Sequence, residues 1–158
     1  MSMRINDIVV EWLEFQEWEE RPEVNEEEQT SSTSFSTRLS DDFSVSCYFE
    51  VAEEACFFKL FMYFLDTKIP ASKVDEVIKF VNLANINCQI GHLAVIPDDR
   101  VLRYYAAIDV EDSAFEIHQI TNILNAGNRT MAARLPQFMA ICFGGKTAEE
   151  ALQIEPEE

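Results

Sequence analysis

The sequence predicts an α+β fold in which an antiparallel sheet, built from a three-stranded meander plus a hairpin, packs with helices. Residues 35–51 alternate with a period of two. Phe35, Thr37 and Leu39 stand against Ser36 and Arg38, and Phe43, Val45, Cys47, Phe49 and Val51 stand against Ser44, Ser46, Tyr48 and Glu50. That alternation belongs to half-buried antiparallel strands. A third run, 56–65, is apolar at nearly every position, with Lys59 as its only charged member. Apolar residues before and after these strands recur instead at helical spacing, which places helices around the sheet.

Taken in chain order, residues 5–18 put Ile5, Ile8, Val9 and Leu13 on one side of a first helix, with Glu11, Glu14 and Glu17 largely elsewhere. Pro22 and the polar run 25–33 predict a loop, rich in Glu, Gln, Ser and Thr. Asp41-Asp42 and Glu53-Glu54 supply the turns of the meander. Pro70 suits a first helical turn, and Val74, Val77, Ile78, Val81 and Ala84 then give a second helix. Runs 91–96 and 101–110, joined by Pro97-Asp98-Asp99-Arg100, form a second hairpin. Ser113 with Glu116 has the spacing of a capping box for a helix with Ile117, Ile120, Ile123 and Leu124 on its buried stripe, ending at Gly127. A further helix covers 129–143, bent or split at Pro136. Thr147 with Glu150 caps a short last helix.

The organisation expected is a single domain overall. It has an acidic N-terminal helix and flexible loop at 1–34, an α+β body at 35–152 and an acidic tail at 153–158. The strand at 56–65 has functional weight. Phe58, Leu60, Met62 and Phe64 can face the helices, while Phe57, Phe61, Tyr63 and Leu65 point the other way. An open antiparallel sheet leaves its second face wet, so an apolar second face predicts a cover. A homodimer is the economical cover, and another part of the same chain is the alternative. Phe57, Lys59, Phe61, Tyr63 and Leu65 are therefore the candidate protein or dimer interface.

Charge narrows the partners. Twenty-nine acids against 12 basic residues give a formal charge of −17, which repels phosphate backbones and anionic lipid heads. Neither nucleic acid nor membrane is an expected partner. Ten of the acids fall within the first 30 residues, against Arg4 and Arg21 alone. No signal-like segment opens the chain, and no apolar run approaches the roughly 18 residues of a membrane span. The four cysteines, Cys47, Cys56, Cys88 and Cys142, are scattered among apolar neighbours like thiols of a reducing compartment. A cytoplasmic protein is expected.

The order of helix, meander, helix, hairpin and helices resembles that of the YbjN family. The residues that carry the resemblance are Val77, Val81, Asn82 and Asn85, the strand Gly91-His92-Leu93-Ala94-Val95, the strand Tyr104-Tyr105-Ala106-Ala107-Ile108, and the closing Thr147-Ala148-Glu149-Glu150-Ala151-Leu152. It spans residues 35–152 and consists of hydrophobic patterns rather than chemical motifs. The resemblance implies a fold like that of type III secretion chaperones and a role as a sensory-transduction regulator in a bacterium, with no catalytic residues to carry over. Those chaperones are small acidic dimers that hold extended segments of client proteins.

Sequence constellations that suggest chemistry are incomplete. Gly144-Gly145-Lys146-Thr147 imitates the end of a phosphate-binding loop, but Ala140 stands where a glycine is required and a helix precedes it in place of a strand. The glycines read better as a helix stop. Cys88 and His92 are spaced like half of a zinc site, yet no second close pair accompanies them. His92 and His118 lack an orienting partner in sequence, and the carboxylates of Asp98-Asp99 and Asp109-Glu111-Asp112 occupy turn and helix-start positions. No catalytic residue, metal ligand or cofactor is therefore assigned. The expected function is a non-catalytic protein-binding domain, chaperone-like or regulatory. The alternative is a sensor holding an apolar small molecule between sheet and helices.

Overall fold

In a computed structural model, which describes residues 3–155, the chain forms one six-stranded antiparallel sheet with helices packed on one of its faces. The first helix, α1 (Arg4–Phe15), buries Ile5, Val9 and Leu13 at the spacing anticipated for it, with Trp12 added to the stripe and Ile8 only half-buried at its edge. It stops three residues earlier than its apolar pattern suggests. Glu17 adopts a left-handed φ of 59°, the Trp18 N–H reaches back to the Leu13 carbonyl and the Glu17 N–H to that of Glu14. This paired closure of a helix end is usually made with glycine. It folds Trp18 edge-on against Trp12, with ring centroids 5.2 Å apart.

The polar run predicted as a loop over 25–33 is a hairpin instead. Strand β1 (Glu23–Asn25) pairs with the start of β2 (Thr30–Arg38), with Asn25 opposite Thr30. Ser31 and Thr33 point inward and are buried, in phase with Phe35. Both faces of β2 thus begin with small hydroxyl residues, which removes the apolar alternation by which a strand is recognised.

Strands β3 (Ser44–Ala52) and β4 (Phe57–Tyr63) complete the meander in the predicted phase. After a 3-10 turn at Ala71–Lys73, helix α2 (Val74–Asn85) crosses to the far edge of the sheet. There β5 (His92–Ile96) turns into β6 (Val101–Asp109), which inserts beside β4. The resulting order is β1-β2-β3-β4-β6-β5. Asn85 fastens the α2 end to β5 by accepting from the Leu93 N–H at 2.8 Å and donating to the Leu93 carbonyl at 2.9 Å.

Helix α3 (Ile117–Phe143) runs unbroken through Gly127, where a helix end was expected, and through Pro136, so it is not split. Gly127 is a packing position. A Cβ there would collide with the Met62 sulfur and lie 3.0 Å from a Tyr104 ring carbon. The glycine permits close approach of α3 to the sheet at a tolerable cost in helix propensity. The start also differs from the Ser113–Glu116 capping box. Glu116 itself is the N-cap, and its N–H donates to the Gln119 side chain at 2.8 Å. The last helix, α4 (Ala148–Ala151), has the cap expected of it, with Thr147 Oγ1 accepting from the Glu150 N–H at 3.1 Å.

The core lies between the helices and the inner face of the sheet. Trp12 packs on Phe49, Phe58 on Phe115, and Phe64 stacks on Phe138. The N-terminal segment belongs to this core. Arg4 donates to the carbonyls of Ser113 and Val110 at 2.7 and 2.8 Å, and Trp12 Nε1 donates to Thr121 Oγ1 at 3.0 Å.

Candidate binding face

Because the helices occupy the inner face, the outward residues of the central strands are left without a covering element among the described residues. Phe57, Lys59, Phe61 and Tyr63 all project outward from β4 and are half-buried, and Leu65 beyond the strand end is 43% exposed. The candidate residues thus share one face. Strand register adds residues that sequence spacing could not join to them.

Phe61 lies opposite Tyr48 on β3 and Tyr105 on β6, and Tyr105 lies opposite His92 on β5. An aromatic line, Tyr48–Phe61–Tyr105–His92, therefore crosses four strands. Ring centroids are 5.0 Å apart between Phe61 and Tyr105 and 5.3 Å between Tyr105 and His92, within the range of attractive ring pairs. One residue pair along, Tyr63 meets Arg103, and the Arg103 guanidinium lies 5.5 Å from the Phe61 ring centre and 5.6 Å from that of Tyr105. This is a cation–π contact, in which the guanidinium lies over aromatic surface while keeping its charge. Its buried Nε has no hydrogen-bond partner. The rings are half-buried because they shield one another, not because another layer sits on them.

Tyr48, Phe61, Tyr63, Leu65, Lys68 and Val101 border a depression of about 470 Å³ at one end of this line. Charges on the face are mixed: Glu50 stands directly opposite Lys59, and Lys68 and Asp99 flank the depression. Away from the centre the outer surface changes character, for β2 presents Thr30, Ser32, Ser34 and Ser36. The aromatic part is confined to β3, β4, β6 and β5.

The residues considered for chemistry are dispersed. Gly145 has a left-handed φ of 69°, and the Gly144 and Lys146 N–H groups both return to the Ala140 carbonyl, so the glycine pair ends α3. Lys146 is exposed beside Glu150 at 3.8 Å. His118 lies on the surface, 3.2 Å from Glu116, and His92 lies on the outer face of the sheet. All four cysteines are free thiols. Burial pushes those of Cys47 and Cys142 up to about 11, far from the range of a reactive thiolate. Among the described residues, no three His, Cys, Asp or Glu side chains cluster as a metal site. No helix there is long and apolar enough to cross a membrane.

Set against known proteins, the chain matches no family model and no curated protein.

Proposed function

We propose that this is a non-catalytic protein-binding domain of the cytoplasm, chaperone-like or regulatory, that acts as a homodimer through the outer face of β4 and β6. The observation that carries the reading is the aromatic line Tyr48–Phe61–Tyr105, uncovered among the described residues, with Arg103 lying over it. Aromatic residues and arginine are the groups that dominate protein interfaces when desolvated. A second copy of the chain is the occupant we favour. Two molecules of charge −17 repel, and this face, where Lys59, Lys68 and Arg103 offset Glu50 and Asp99, is a surface on which they can meet with little net charge. The free thiols agree with a reducing compartment. The apolar-ligand alternative draws less support, since the space between sheet and helices is filled by Trp12, Phe49, Phe58 and Phe138.

Sedimentation or light scattering tests the proposal. The native chain should have twice the 18.2 kDa mass of one copy, and Phe61→Asp should return it to one copy while leaving the circular dichroism spectrum unchanged. A single-copy mass for the native chain at micromolar concentration sinks the dimer.

A further inference from the structure

A second surface feature lies on the helical side, where the end of α2 and the start of β5 meet the middle of α3. A depression of about 300 Å³ there lies at the lower end of the size range of small-molecule sites. Its floor is made of small side chains, Ala84 from α2 and Ala126 and Ala133 from α3. On a helix of 3.6 residues per turn, Ala126, Thr130 and Ala133 form a strip, and Arg129 and Arg134 fall on opposite sides of it. Both arginines line the depression. Asn87 and Gln89, from the segment leading to β5, add side-chain amides on the opposite wall.

The charge of this lining is unusual for the molecule. The chain has 12 basic residues against 29 acids, yet two arginines line this depression with no carboxylate among the lining residues. Four other surface depressions each include at least one Asp or Glu. Arg129 has no ion-pair partner within 4.0 Å among the described residues, and Arg134 donates only to the neutral Gln137, at 2.9 Å. Among the described residues no carboxylate thus occupies the Arg129 fork or the remaining Arg134 donors, and arginine binds an oxyanion through such N–H groups. The Thr130 hydroxyl and the two amides supply further hydrogen bonds, and the alanine floor provides apolar contact for an organic body.

We infer that this depression is a binding site for a small organic dianion, a phosphomonoester or a dicarboxylate, held between Arg129 and Arg134. The site stands apart from the outer face of the sheet and does not depend on the oligomeric reading.

The test is a titration of the full chain, followed by backbone amide NMR shifts and calorimetry, with inorganic phosphate, succinate and adenosine monophosphate as probes. At least one organic probe should shift amides in 87–93 and 126–134 saturably, with a Kd of about 1 mM or tighter. Arg129→Gln and Arg134→Gln should each weaken that binding about tenfold or more. Arg38→Gln, which removes the same charge from β2, should leave it unchanged. Absence of saturable shifts with all three probes up to about 10 mM overturns the assignment. So does equal binding by the Arg129→Gln and Arg134→Gln variants, since attraction would then be general rather than local.

Discussion

The two faces of β4 are almost equally apolar and have opposite fates. Phe58, Leu60 and Met62 have no solvent exposure, whereas Phe57, Phe61 and Tyr63, their immediate neighbours, are only half-buried. The inner three are covered by α3, which approaches Met62 at Gly127, and by aromatic neighbours such as Phe49 on β3 and Phe115 just before α3, both on Phe58. Among the described residues, the outer three are covered by side chains of adjacent strands, Arg103 of β6 included. Hydrophobic composition therefore does not specify burial by itself. It specifies a demand for burial, which this chain meets on one face and, among the described residues, leaves unmet on the other.

The contrast can be broken first where it is steepest. Phe58→Ala should destabilise the fold by about 3–5 kcal/mol, because the cavity would open among Phe49, Phe115 and the helices. Phe57→Ala, one residue away, should cost about 1 kcal/mol or less in the monomer, as surface changes do. Denaturant unfolding of the pair measures the difference directly, and equal losses would abolish the distinction between the faces.

Tyr104 and Tyr105 repeat the comparison on β6. Tyr104 is fully buried, its hydroxyl donates to the Ile90 carbonyl at 2.5 Å, and burial pushes its ionisation up to about 12. Tyr104→Phe should cost about 0.5–1.5 kcal/mol by unfolding, and Tyr105→Phe less, because its hydroxyl is not held in the interior. Thiol labelling provides a kinetic version. With their thiols raised to about 11, Cys47 and Cys142 should alkylate at least about a hundredfold more slowly than free cysteine at pH 8 in the native protein. Fast labelling of either would mean that the inner layer opens.

The smallest effect is expected at the surface of the helical layer. Lys79 on α2 meets Glu149 on α4 at 2.5 Å, which raises the lysine above its ordinary pKa and lowers the carboxyl below its own. The carboxylate contribution is present above the unfolded carboxyl pKa and is lost as pH falls through the lower folded value. The lysine contribution is present below the unfolded lysine pKa and is lost as pH rises through the higher folded one. Both groups are solvent-exposed, so Lys79→Met should shift the melting temperature only slightly at neutral pH and not at all in strong acid. A large shift in acid would point to packing rather than charge.

Much of this architecture was legible in the sequence. Strands β3 and β4 declared themselves because inward and outward positions differ in polarity or because both are apolar. The cap at Thr147 was legible because an N-cap acts locally. The β1–β2 hairpin was hidden because Ser31 and Thr33, its inward residues, are as polar as its outward ones. The continuity of α3 was hidden because Gly127 and Pro136 are interruption signals in isolation, and only the approach of Met62 and Tyr104 explains the glycine. At the candidate face, Phe57 to Leu65 could be grouped from alternation along one strand. Tyr105, His92 and Arg103 could not, since they join that group through register between strands far apart in sequence. The Arg129–Arg134 depression needed even more: both arginines fall within the helix expected at 129–143, but Ala84 and the 87–93 segment join them only in the tertiary fold, and Ala126 only because α3 continues through Gly127.

The placement of β6 beside β4 also sets a schedule for synthesis. Phe57 pairs with Asp109, and α1 is tied by Arg4 and Trp12 to partners 109 residues further along. As the chain leaves the ribosome, the meander therefore emerges long before α3 can cover it, and the first helix can meet Phe35 and Phe49 early but gains its Arg4 and Trp12 hydrogen bonds only once residues 110–121 have emerged. During that interval Phe58, Leu60 and Met62 lack the cover of Phe115 and α3 on one side, and Phe61 and Tyr63 lack β6 on the other. Such non-local closure is slow compared with local helix formation, and it makes the nascent chain the form most prone to aggregate.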